Sequence, residues 1–249
     1  MFFYKKIIKI LSLWNYNGDK INSKKLQSSY DRRRSVMRKT SFIFLLVFIS
    51  PLMGLVQYPI YQLTDGTVRT ITIQILVSFL LLITIIFYLY RHLINDSIIK
   101  LFQNNRFDPS LIKISIAMLI SNVIFIVVVI NPNNGIHNNL FTLTGFNNHY
   151  LQIISVCTSF TLSPIIDELF FRGLVISFLE KTWNSEFAII FSAIIFGISH
   201  SLFNIIFLSF YIIVGILLGI AREKTNGIIA PIILRSMWDV FIVLMMWIY

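Results

Sequence analysis

Most of this chain lacks the alternation of apolar and polar positions that marks a half-buried strand or a surface helix. Apolar residues instead run on in blocks of about 20, the length that crosses the roughly 30 Å hydrocarbon core of a bilayer as an α-helix. The blocks fall at 41–61, 71–90, 111–130, 150–179, 187–203, 204–221 and 227–249. They predict an all-α fold, a polytopic transmembrane helical bundle of about seven to eight spans. The fourth block holds Pro164 and is too long for one straight span, so a kink or break is expected there. The fifth and sixth meet at a tight turn near Asn204. Ahead of the first block, Phe3, Ile7, Ile10, Leu11 and Trp14 recur at helical spacing, with Lys5, Lys6 and Lys9 elsewhere around the wheel. That suits a short helix lying in the membrane interface. It is not a signal peptide, because it has no continuous apolar stretch and no small-residue cleavage site. The chain thus divides into a basic N-terminal segment, 1–40, a set of N-terminal transmembrane helices, 41–149, and a C-terminal core, 150–249.

Composition supports the membrane class. Of 249 residues, 56% are hydrophobic and 13% charged, against about 45–50% and 25% in soluble domains. The spans leave no room for a soluble catalytic domain. The net charge of +10 raises nucleic acid as a partner, but 11 of the 21 Lys and Arg lie in residues 1–40. Basic residues ahead of a first span are a cytoplasmic retention signal and attract anionic lipid. No nucleic-acid module accompanies them. With the N-terminus in the cytoplasm, the inner loops carry Arg91, Lys100, Arg106, Lys181, Arg222 and Lys224, and the outer loops carry Arg69 alone. This bias places the C-terminus outside. Cys157, the sole cysteine, excludes an intrachain disulfide and reads as an apolar filler. His92, His137 and His149 lie near membrane boundaries and read as interfacial.

Five charged residues lie well inside spans, away from their ends: Asp167, Glu168, Arg172, Arg235 and Asp239. His200 is the histidine well inside one. A charge at mid-bilayer costs about 2.5–3.5 kcal/mol on insertion scales, so it is kept for function or paired for structure. A purely structural account exists. Glu168 with Arg172, and Arg235 with Asp239, sit at the four-residue spacing of helical ion pairs, and Asp167 and His200 can pair with each other. Depth favours a functional account. At about 1.5 Å per residue, Asp167, His200 and Asp239 lie at one level, roughly 18–20 Å from the cytoplasmic edge. Pro164 and Pro231 just ahead of the charges suggest broken helices lining a polar cavity. Gly197, Gly215 and Gly219 suggest close helix approach. A carboxylate and a histidine around a wet cavity can activate water. A divalent metal such as zinc would draw on His200, Asp167, Glu168 and Asp239, but one histidine is a poor start for a zinc site and the ligand count does not indicate one.

These residues resemble the CPBP family, the CAAX-protease and bacteriocin-processing (Abi) intramembrane proteases. Its first motif, two acids, three residues and Arg, is matched by DELFFRG from Asp167 to Gly173. Its second, Phe, three residues and His, is FGISH from Phe196 to His200. Its third, His, three residues and Asn or Asp, is matched in position by Arg235 and Asp239. The resemblance covers roughly 150–249. It implies a bacterial cytoplasmic membrane location and endopeptidase activity (a hydrolase) on peptides or on prenylated or leader-containing proteins within the membrane. It also implies roles. Asp167 takes the base position with His200 as its partner, Arg235 and Asp239 the oxyanion position, and Glu168 with Arg172 the supporting pair. Two residues depart from the pattern. Asp167 is one methylene shorter than the usual Glu. Arg235 replaces His, and it cannot act as a base although its N–H groups can stabilise an oxyanion. The alternative on the same fold is a non-catalytic scaffold or bacteriocin-immunity protein.

Overall fold

The computed structural model describes residues 68–103, 105–130, 150, 153, 157, 158, 160–201 and 204–248. The expected interfacial helix, the polar stretch to residue 40, the span 41–61 and the outer loop with His137 and His149 lie outside these residues. The described elements are all helical. In chain order they are α1 (Val68–Ile94), α2 (Ile99–Gln103), α3 (Ser110–Ile130), α4, α5 (Ser185–His200), α6 (Ile205–Thr225) and α7 (Ile229–Ile248). Helix α4 is composite, α-helical over Leu162–Glu168, π-helical over Leu169–Ile176 and α-helical again over Ser177–Leu179.

Polar residues set the ends of these helices. Asn95, in the left-handed region at φ 61°, closes α1 with its N–H on the Arg91 carbonyl. Lys181 Nζ reaches over from beyond α4 and caps the same end, donating to the Leu93 and Ile94 carbonyls. Asn184 and Asn204 cap the first turns of α5 and α6, each accepting backbone N–H groups on its side-chain oxygen. Asn226, at φ 52°, terminates α6. The first turn of α7 is capped from far away: Asn105 Oδ1 accepts the N–H of Ile229 at 3.1 Å.

Among the described residues, three helical stretches are long and apolar enough to cross a membrane: Leu76–Ile94, Ser110–Val128 and Ile205–Thr225. The distribution of apolar side chains agrees. On α3, Ile114, Met118 and Phe125 face the core, while Ile116, Ile120, Val123 and Val127 point outward and are 48–66% exposed. An outer face this apolar suits lipid. Helix α5 departs from the expected span. It has 16 residues, about 24 Å at 1.5 Å each, because the chain turns extended at Ser201, directly after His200.

The expected break near Pro164 is present: the helix is interrupted at Thr161, between helical Phe160 and Leu162. Pro164 and Pro231 are each the third residue of a helical segment, where backbone N–H groups lack intrahelical partners anyway. Neither proline opens a helix at the charges. A second irregularity is the π stretch beyond them. Every residue from Leu169 to Ile176 is buried, so α4 forms the centre of the bundle. A π turn leaves carbonyls displaced from their usual donors, and Ser192 of α5 donates to that of Phe171 at 3.0 Å.

The glycines do bring α5 and α6 together. A Cβ on Gly197 would stand 2.6 Å from Ile212 Cγ1, one on Gly215 2.9 Å from Ala193 Cβ, and one on Gly219 2.6 Å from Ile189 Cγ2. This close hairpin fixes His200 relative to α6.

Candidate active site

The π-flanked centre of α4, the end of α5 and the middle of α7 bring all six intramembrane polar residues into two adjoining groups. Asp167 and Glu168 are neighbours on α4 and, about 100° apart around the helix, they serve different groups.

Glu168 belongs to the first group. Its Oε1 lies 2.9 Å from Nη1 of Arg172, with both side chains essentially inaccessible. The pair is held by charge rather than by an aligned hydrogen bond. Arg172 also donates through Nη2 to the Gly215 carbonyl at 3.1 Å, and its Cζ lies 4.5 Å from the Phe196 ring centroid.

Asp167 belongs to the second group, which three helices build. Its Oδ2 lies 3.3 Å from His200 Nε2 and 3.9 Å from Arg235 Nη2. Arg235 Nη1 lies 3.0 Å from Asp239 Oδ1. Asp167 is fully buried, while the Asp239 side chain keeps 16% of its surface. The group therefore has an open edge at Asp239. Every pair that a purely structural account needs is formed. Beyond these, the Asp167–Arg235 contact joins the first motif to the third across two helices.

The hydrogen bonds of His200 fix the role of Nδ1. Nδ1 lies 2.9 Å from the Phe196 carbonyl and 3.1 Å from Ser199 Oγ. The hydroxyl places its one hydrogen on the same carbonyl, at 2.8 Å. Both neighbours of Nδ1 are then acceptors, so Nδ1 carries a hydrogen and Nε2 is the nitrogen left facing Asp167. An imidazole lone pair facing a carboxylate attracts it only with a proton between them. Asp167 and His200 thus form a two-part seat for one proton, the element a general base needs.

The possible metal ligands do not gather. Among the described residues no group of three or more His, Cys, Asp and Glu side chains has metal-binding spacing. Arg235 lies between Asp167 and Asp239. Cys157 is exposed, away from this group.

Comparison with known proteins bears on residues 149–241, which match the family model described as type II CAAX prenyl endopeptidase Rce1-like. This stretch is similar to that family. It holds all three motifs, and the resemblance read from them stands. Two relatives are similar over about a third of this chain. An uncharacterized 24.3 kDa protein of Escherichia coli is 26% identical over 86 residues, 33% of this chain and 40% of the relative. A candidate membrane peptidase of Bacillus subtilis (strain 168), named YdiL, is 29% identical over 92 residues, 37% of each chain. The chain therefore spans well under half the length of the curated relatives it matches. No solved structure matches.

The matched segment contains two features that its motifs do not announce. The first is Tyr211 on α6, whose ring lies 4.8 Å from that of His200. In sequence it is one aromatic among apolar residues and looks like core. The second is a groove of about 420 Å³ along the outer face of α7, lined by Phe160, Ile233, Ser236, Met237 and Val240 among others. Ser236 and Val240 directly follow Arg235 and Asp239 in sequence, about 100° further round α7.

Proposed function

We propose that the chain is a CAAX-type intramembrane endopeptidase of a bacterial cytoplasmic membrane, with Asp167 and His200 activating water. The observation that carries this reading is the 3.3 Å contact between Asp167 Oδ2 and His200 Nε2, the ring nitrogen that the hydrogen bond at Nδ1 leaves facing Asp167. In the reaction, water attacks the scissile carbonyl and its proton passes to the Asp167–His200 pair. A carbon–oxygen bond forms and the carbonyl oxygen becomes an oxyanion. Arg235, whose Nε and Nη1 make no aligned hydrogen bond, supplies N–H groups to that oxyanion. The proton then moves to the leaving amine as the carbon–nitrogen bond breaks. Glu168 and Arg172 hold α4 against Gly215 and take no proton.

The substrate is a peptide or protein already in the membrane, with an apolar portion lying in the α7 groove. The basic N-terminal segment faces the cytoplasm and anionic lipid, and the C-terminus faces outward. Roles in bacteriocin processing or self-immunity are specific forms of this activity. The second reading, a non-catalytic scaffold or immunity protein, is favoured by Arg235 itself, which bridges two carboxylates and can lock the site.

Mass spectrometry of peptide ends separates the two readings. Membranes of cells expressing wild type, Asp167→Asn or His200→Ala at matched levels are compared. Ends present only with wild type support the peptidase. Identical profiles in all three support the scaffold.

A further inference from the structure

Arg235 raises a packing problem that its two carboxylates do not solve. A buried guanidinium needs compensation on its faces as well as its edges. Asp239 and Asp167 take part of the edge, at 3.0 and 3.9 Å. Nε and Nη1 remain without aligned hydrogen bonds. What lies nearby otherwise is aromatic. Arg235 Cζ is 5.4 Å from the Phe196 centroid and 5.9 Å from the Tyr211 centroid. The same two rings hold the imidazole: Phe196 and Tyr211 lie 4.2 and 4.8 Å from the His200 centroid. Phe196 belongs to the Phe-to-His motif. Tyr211 belongs to no motif.

We propose that Tyr211 is a positioning residue whose ring, with that of Phe196, seats the Arg235 guanidinium and steadies the His200 imidazole against Asp167. The ring carries the role, because the ring makes the contacts with both groups. A planar, weakly hydrated guanidinium stacks well on aromatic faces. An arginine can therefore stand where the family pattern has histidine, provided an aromatic neighbour receives it. Tyr211 and Arg235 are then coupled, and each substitution should change the effect of the other. The catalytic consequence rests on the peptidase reading; the coupling does not.

The test uses six forms of the purified full chain in proteoliposomes: unchanged Tyr211, Tyr211→Leu and Tyr211→Phe, each with Arg235 intact or as Arg235→His. Leucine removes the π face and phenylalanine keeps it. Two quantities are read, cleavage of a prenylated CAAX peptide and the thermal unfolding midpoint. With Arg235 intact, Tyr211→Leu lowers kcat about 10-fold with KM within about 2-fold, the size expected for a desolvated cation–π contact. Tyr211→Phe stays within about 2-fold. In the Arg235→His background, Tyr211→Leu moves the midpoint less than half as far. Equal damage from phenylalanine and leucine would assign the role to the hydroxyl and overturn the proposal. An equal midpoint shift in both backgrounds would reduce Tyr211 to ordinary packing and also overturn it. If wild type cleaves nothing, the peptidase reading fails, and the midpoints alone decide the coupling in the same way.

Discussion

Asp167 and Glu168 are adjacent carboxylates at one depth, yet their surroundings differ in kind. Glu168 faces a partner one turn along its own helix, and the pair is sealed, with 1% and 0% of the two side chains accessible. Asp167 faces partners from two other helices, and its group opens at Asp239. A sealed pair on one helix forms as that helix forms and can do little else. A group assembled by three helices exists only when the bundle is complete, and its open edge reaches the surface at Asp239. Burying charge is expensive in both places. In the first the return is a fixed α4, in the second a site.

Substitutions sharpen that contrast. The largest effect falls on the open group: His200→Ala lowers cleavage about 10²–10⁴-fold, as loss of a general base component does, while the protein still accumulates in membranes. Wild-type cleavage by this variant would dissolve the distinction between the two groups. Arg172→Met does the opposite. It strands the Glu168 carboxylate and destabilises by about 3–5 kcal/mol, seen as a lower unfolding midpoint and reduced membrane levels. Normal stability would show that the sealed pair does not hold α4. Gly219→Ala places a methyl against Ile189 and costs about 1–3 kcal/mol, with Ile189→Ala expected to recover part of the loss; no recovery would place the strain elsewhere. The smallest effect is Lys181→Met, which removes two hydrogen bonds from the end of α1 and costs about 1 kcal/mol. An unchanged midpoint would make that cap dispensable.

The site was readable from sequence because charge in a membrane is costly, and so each of Asp167, Glu168, Arg172, Arg235 and Asp239 demanded a reason. Counting residues from the cytoplasmic edge put Asp167, His200 and Asp239 at one level, and the structure brings them into one group. The apolar runs also located α1, α3, α6 and α7 to within a few residues. The π stretch was not readable, because LFFRGLVI has the same apolar character whether wound in α or π form. Pro164 marked the interruption at Thr161, whereas Pro231 misled: a proline says that a donor is missing, not whether the helix needed that donor. Helix α5 is shorter than its apolar run because Ser201 leaves helical geometry, and a short stop of this kind has no hydrophobic signature. Tyr211 was hidden among the apolar residues of α6, since its importance comes from the cation it faces.

The most direct measurement is cleavage of a prenylated CAAX peptide by purified wild type and His200→Ala, reconstituted in proteoliposomes at equal folded amounts. Cleavage by wild type, reduced about 100-fold or more in His200→Ala, is the predicted result. Equal cleavage by both, or none by either, would contradict a water-activating role for Asp167 and His200.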